Sequence, residues 1–91
     1  YEKMEYYSAA LIYYNNVVEI YHDTRFAPLA LYNRIQILVN KNRDQEAAAD
    51  IDKYLQRYPG ESNAKELQSL KVKLENKMSI IKILTKINFI I

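Results

Sequence analysis

His22 and Asp23 are adjacent in "IYHDTRFA", and a histidine beside a carboxylate is the pair that could activate a nucleophile. The chain holds one histidine and no cysteine, so a His-pair metal site and thiolate chemistry are both excluded. Neither Ser8 nor Thr24 has the spacing of an evident partner, and a base needs a nucleophile and a pocket as well as a neighbour. His22 therefore reads as a turn residue. Asp44, Glu46, Asp50 and Asp52 form a local acidic group, with Glu46 and Asp50 one helical turn apart. Oxygen ligands of this kind can hold a divalent ion, but no loop wraps them, and they read as a solvated helix face. No phosphate-binding loop, Cys/His cluster or nucleophile elbow occurs in the sequence. No cofactor is expected, and no enzymatic activity.

Nine tyrosines accompany thirteen basic residues, a combination that can stack on single-stranded nucleic acid. Most of these tyrosines share helical faces with Ala and Val, so packing is the expected role and no nucleic-acid partner is expected. Tyr6, Tyr13 and Tyr32 are the ones expected to be exposed. Charge is uneven. Residues 1–63 carry seven Lys or Arg against nine Asp or Glu, whereas residues 64–91 carry six Lys against two Glu. The last segment, "MSIIKILTKINFII", is apolar and basic but too short and too interrupted by lysine to span a bilayer. Lys77, Ile80, Lys82, Ile83, Leu84, Lys86 and Ile87 are its candidates for a membrane surface, self-association, or capping of an open end.

The elements that carry these residues follow from periodicity. With 49% hydrophobic and 26% charged residues in 91, the composition is that of a small globular unit. A single Gly and two Pro favour long helices over hairpins. Tyr7, Ala10, Tyr14, Val17, Val18 and Tyr21 recur at three- and four-residue steps, predicting a helix over 5–21; Tyr6, Tyr13 and Ile20 form a second stripe beside them. Ala27, Ala30, Leu31, Ile35 and Leu38 predict a second helix from about Arg25 or Ala27 to Val39, with Asp23 or Thr24 as cap and Pro28 confined to its first turn. In the polar break "NKNRD", Asn42 with Gln45 has the form of a capping box, and Asp44 is an alternative cap. Ala47, Ala48, Ile51, Tyr54, Leu55 and Tyr58 predict a third helix over 44–58, stopped by Pro59 and by Gly60 in a left-handed cap. Ser62 is the expected cap of a fourth helix from about Asn63, striped by Ala64, Leu67, Leu70, Leu74 and Met78. Its continuation through Ile81, Leu84 and Ile91 is preferred to a strand, which would lack a pairing partner.

A shift of 37 residues lays Ala10 on Ala47, Tyr14 on Ile51, Val17 on Tyr54, Tyr21 on Tyr58 and Ala27 on Ala64. Small residues match small, large match large, and turn matches turn. The sequence thus predicts an all-α fold of antiparallel helix-pair repeats, about four helices, over residues 1–77, with 78–91 as a basic apolar continuation.

The pattern Ala47, Ile51, Tyr54, Pro59, matched by Ala10, Tyr14, Val17, His22, resembles a tetratricopeptide repeat, although the period is three residues long and neither Trp nor Gly marks the first helix of the pair. The joint "YHDTRFAPLALY" narrows the resemblance: Tyr21, Asp23, Thr24, Pro28, Ala30, Leu31 and Tyr32 match in order the repeats of the BamD-type outer-membrane protein assembly factors, with His22 in place of the usual Pro. Periplasmic repeat proteins of the Tol–Pal system have a similar joint. The resemblance implies a non-catalytic protein–protein scaffold at the periplasmic face of the outer membrane, in a lipoprotein family whose lipid-bearing Cys is absent here. Its implied partners are other subunits of the complex that inserts β-barrel proteins. Opening on Tyr1, inside an apolar helical pattern, the chain reads as a C-terminal fragment of a longer protein. Tyr32, Arg34 and Arg57, near the joints, are the candidate partner-binding residues.

Overall fold

The structure, a computed structural model, describes the backbone of residues 2–90 and the side chains of residues 6–87. Four helices follow one another: α1 Glu2–Ile20, α2 Phe26–Asn40, α3 Asp44–Arg57 and α4 Ala64–Ile90. No strand occurs among the described residues. The segment from Met78 onward, for which a strand was the alternative, continues α4 without a break. Tyr1 and Ile91 lie outside the described residues.

Each helix packs on the next along the chain, α1 on α2, α2 on α3, α3 on α4. The pairs run antiparallel. Lys77 meets Asp44 at the start of α3, and Lys71, earlier in α4, meets Asp52 further along it. At the end of α2, the Lys41 ammonium lies 4.0 Å over the ring of Tyr7, near the start of α1. Short joints leave no room for any other direction.

The joints repeat. In the first, the amides of Tyr21, Thr24 and Ala27 donate to the carbonyls of Val17, Tyr21 and Thr24 at 2.9, 2.9 and 3.2 Å. In the second, the amides of Tyr58, Glu61 and Ala64 donate to those of Tyr54, Tyr58 and Glu61 at 2.7, 3.2 and 3.1 Å. Every partner is displaced by the 37 residues of the sequence register. Side chains bind equivalent helices to each other: Lys53 on α3 donates to Glu19 on α1 at 3.2 Å, and Tyr32 on α2 donates to Glu66 on α4 at 2.8 Å. The second joint also rests on the first, through the Tyr58 hydroxyl and the His22 carbonyl, 3.2 Å apart.

The core is Leu11 and Val18 of α1; Ala30, Leu31, Ile35 and Leu38 of α2; Ala47, Ile51 and Tyr54 of α3; and Ala64, Leu67 and Leu74 of α4. Every position of the face expected on α2, from Ala27 to Leu38, is buried, as is Pro28, third in the helix where its missing N–H is harmless. On α1 the buried face is displaced by one position from the register: Leu11 and Val18 are buried, whereas Ala10 and Val17 are half-covered and Tyr21 is exposed. The cause is the neighbourhood. α3 lies between α2 and α4, but α1 packs on α2 alone, so its face turns toward that helix.

The turn chemistry differs from the sequence expectation at four points. Asn42 does not cap α3; it holds φ 60° and ends α2. The Asn42 amide bonds to Val39 and that of Arg43 to Leu38, the paired bonds of a Schellman ending with Asn in the left-handed position. Gly60 is not left-handed. Thr24 does not cap α2; its hydroxyl donates to the Tyr21 carbonyl at 2.7 Å and closes α1 instead, leaving Arg25 before α2 with no side-chain cap. Asn63, not Ser62, precedes α4, and its carbonyl receives the Leu67 amide.

The two turn residues predict opposite responses. A Cβ at Gly60 would meet no atom within 4 Å, so Gly60→Ala should raise the unfolding free energy by about 0.4–1 kcal/mol through the unfolded chain. Asn42→Ala should lower it by about 1 kcal/mol, since alanine tolerates the left-handed region poorly. Urea unfolding followed by circular dichroism reads both; the same sign for the two would contradict the assignment.

Candidate interaction surface

Of the acidic group expected as a solvated face, Glu46 and Asp52 are exposed while Asp50 and Asp44 are covered, and each of the four has a basic partner. Asp50 is 8% exposed, and its Oδ2 accepts a hydrogen bond from Nη1 of Arg34 at 2.8 Å. Arg34 sits mid-way along α2 and Asp50 mid-way along α3, so the pair crosses the helix interface. Asp44 is almost covered and binds Lys77 at 3.0 Å; Glu46 holds Arg43 through two bonds of 2.8 and 2.7 Å; Asp52 meets Lys71. The sequence reading missed three of these pairs because Arg34, Lys77 and Lys71 lie on other helices. Among the described residues, no three His, Cys, Asp or Glu converge as a metal site.

These pairs set the protonation behaviour. Burial pushes the Asp50 carboxyl above the usual carboxylate range, against the pull of Arg34 and then Lys53. Glu19 is shifted down, chiefly by the hydrogen bond from Lys53, and Glu46 is shifted down by that from Arg43. The Tyr32 hydroxyl is shifted up because it donates to Glu66, and burial raises Tyr54 and Tyr58. All of these groups stand in interhelical or local contacts.

The three candidate partner-binding residues lie along the stack. Arg34 is committed to Asp50, with its Nε enclosed and unpaired. Tyr32, expected to be exposed, is half-covered and bridges to α4. Arg57 stands 3.5 Å from Glu19, linking α3 to α1, and is partly exposed. His22 lies 3.4 Å from Asp23, in an open groove of about 440 Å³ that Glu19, Arg57 and Tyr58 complete. No Ser, Thr or Cys lines that groove, and Thr24 is engaged with a carbonyl. The arrangement offers ion-pairing and hydrogen bonding, with no nucleophile for a base to activate.

Large apolar side chains face solvent in two places. On α1, Tyr6, Ile12, Tyr13 and Ile20 are 64–68% exposed, and Tyr6, Tyr13 and Ile20 stand seven residues apart, on one side of the helix. Tyr6 and Tyr13 are exposed as the sequence led one to expect, and no described element covers the stripe that they form with Ile20. The other place is the end of α4. That helix has 27 residues against 14 in α3, so it outruns its neighbour by about 20 Å at 1.5 Å per residue. Under the overhang lies a groove of about 820 Å³, bordered by Asp44, Glu46, Ala48, Met78, Ile81 and Lys82. Among the described residues, no helix is long and apolar enough to cross a membrane.

Removing Arg34 leaves a buried carboxylate without its counter-charge. Arg34→Leu should lower stability by about 3–5 kcal/mol, and adding Asp50→Leu should recover most of it. A carboxyl whose folded pKa is raised is penalised in its charged form, a penalty present above that pKa and lifted as pH falls through it. The Arg34→Leu variant should therefore regain stability on acidification, relative to the double variant at the same pH. Urea titrations across the acid range read this; parallel pH profiles would contradict it.

Comparison of the chain with family models, with curated proteins and with solved structures returns no match.

Proposed function

We propose that this chain is a non-catalytic protein–protein interaction scaffold: a short stack of helix hairpins that presents rigid side chains to a partner. One observation carries the reading. α1 is closed on α2 by Leu11 and Val18, yet it also carries the outward stripe Tyr6, Tyr13 and Ile20, with Ile12 at its edge. Tyrosine is the residue type that supplies large contact area with few rotors to freeze, and a fixed helix lowers the entropic cost of association further. The polar groups support the same reading, because most of the pairs described above are spent on joining helices.

The repeated joints and the residues Tyr21, Asp23, Thr24, Pro28, Ala30, Leu31 and Tyr32 support a finer form of the proposal. In it, the chain is similar to BamD-type assembly factors, acts at the periplasmic face of the outer membrane, and its partners are other subunits of a β-barrel assembly complex. Stacking of equivalent hairpins suits such a role, since each added pair extends a continuous surface.

A photo-crosslinking residue at Tyr13, compared in cells with one at Gln56 on the exposed side of α3, tests both levels. The scaffold reading expects a discrete protein adduct at Tyr13 and none at Gln56. Adducts that are outer-membrane assembly subunits would support the finer reading, and adducts from another compartment would remove it. Equal, diffuse labelling at the two positions would sink the scaffold reading itself.

A further inference from the structure

The open row of α1 has the form of a seat for one more helix. Tyr6, Ala10, Tyr13, Val17 and Ile20 recur at alternating steps of four and three, the spacing of a coiled-coil seam, and fall within an arc of about 80° at 100° per residue. The 37-residue register carries these five onto Arg43, just before α3, and onto Ala47, Asp50, Tyr54 and Arg57 within it. There the middle three are buried, and Asp50 reaches Arg34 of α2. It is the face on which α2 lies, running antiparallel. On α1 the same face is open: Ala10 and Val17 are half-covered, and Tyr6, Tyr13 and Ile20 are 64–68% exposed. The element that fits it is a helix antiparallel to α1.

Size and charge name that helix. The large residues stand seven apart, at Tyr6, Tyr13 and Ile20, with the smaller Ala10 and Val17 between them. Two copies of α1 laid antiparallel bring Tyr6 opposite Val17 of the other copy, and Ala10 opposite Tyr13. Each tyrosine then meets a smaller side chain, so the seam is its own complement under a two-fold axis. Parallel pairing would set Tyr against Tyr and Ala against Ala. Glu19 is the only charged residue from Tyr6 to Ile20, and it is turned to Lys53 and Arg57 of α3. Two such seams meet without like-charge repulsion, and they offer no charge to steer an acidic or basic partner. About two thirds of each large side chain is in water, so those of two copies bring roughly 600–900 Å² to the contact. With Ala10 and Val17 added, this reaches the lower end of specific interfaces and makes a reversible dimer, not an obligate one.

We propose that two copies of this chain pair through α1, antiparallel about a two-fold axis near the middle of the helix, with Tyr13 of each packed on Ala10 of the other. The proposal rests on the reading of the α1 stripe as a contact surface and names its occupant.

Sedimentation equilibrium of the purified full chain tests it. The expected result is monomer at micromolar concentration and a mass rising toward twice the monomer's as the concentration approaches about 1 mM. Tyr13→Lys should weaken the dimer by about thirty-fold or more, as loss of a central aromatic anchor does, and should leave the circular dichroism intact because the side chain is already in water. The chain has no cysteine, so oxidation of single-cysteine variants reads the direction of pairing. Tyr6→Cys and Val17→Cys should each stay unlinked alone, since like positions lie 11 residues and about 16 Å apart along the seam, and should link when mixed. Disulfide formation by Tyr6→Cys alone would mean parallel pairing and overturn the proposal. So would a dimer that survives Tyr13→Lys, or one that Ile83→Ser with Leu84→Ser removes. A chain that stays monomeric throughout would overturn it too; if Tyr13 still captured another protein in cells, the scaffold reading would stand without it.

Discussion

The double burial of α2 is the constraint on which the remainder depends. Ala27, Ala30, Leu31, Ile35 and Leu38 are covered only because α1 closes one side and α3 the other. Leu31, Ile35 and Leu38 are each at most 1% exposed, and full burial of such a side chain is worth about 1.5–3 kcal/mol. Small residues at the start of α2 let the chain return closely after the first joint, and Ala64 does the same after the second. The ion pairs that decorate the stack are mostly exposed, and such pairs contribute about 0–1 kcal/mol each. Arg34–Asp50 is the exception: it is set within the α2–α3 interface, where it restricts how the two helices can slide past each other.

Translation along the chain produces the architecture. Three backbone hydrogen bonds of the first joint recur 37 residues later, and side-chain links from α1 to α3 and from α2 to α4 span 34 residues. The two numbers differ because the joints repeat as whole units, whereas the links run diagonally between neighbouring units. A surface assembled this way is rigid, since each helix is braced by the next. Among the described residues it leaves two apolar areas in solvent, the α1 stripe and the projecting part of α4, and the two differ in chemistry: tyrosine and isoleucine in the first, isoleucine and lysine in the second.

Much of this was legible from the residues alone. The all-α class, the four helices and their order followed from apolar spacing, which is a local property and survives any packing arrangement. The 37-residue register was visible because Tyr21 and Tyr58, and Ala27 and Ala64, occupy equivalent joints. The cap at Asn42 was misread because Asn serves equally before a helix and in a left-handed position after one; the backbone bonds to Leu38 and Val39 decide between them. Two of the four acids of α3, Asp44 and Asp50, were misread for a different reason. Asp50 looks solvated by composition, and only the placement of Arg34, sixteen residues earlier on another helix, shows that it is covered. Cross-helix polar pairing leaves no periodic trace, so the electrostatic half of the interface was invisible until the helices were placed.

The claim that α2 holds the stack together is most directly tested by native-state hydrogen exchange resolved by residue. The account predicts that amides of Leu31 to Leu38 exchange only through global unfolding, with the slowest rates in the chain, and that those after Met78 exchange fastest within α4. If the α2 amides exchange as fast as the end of α4, or if α3 and α4 remain protected while α2 opens, the helices are not held by burial of α2 and the account fails.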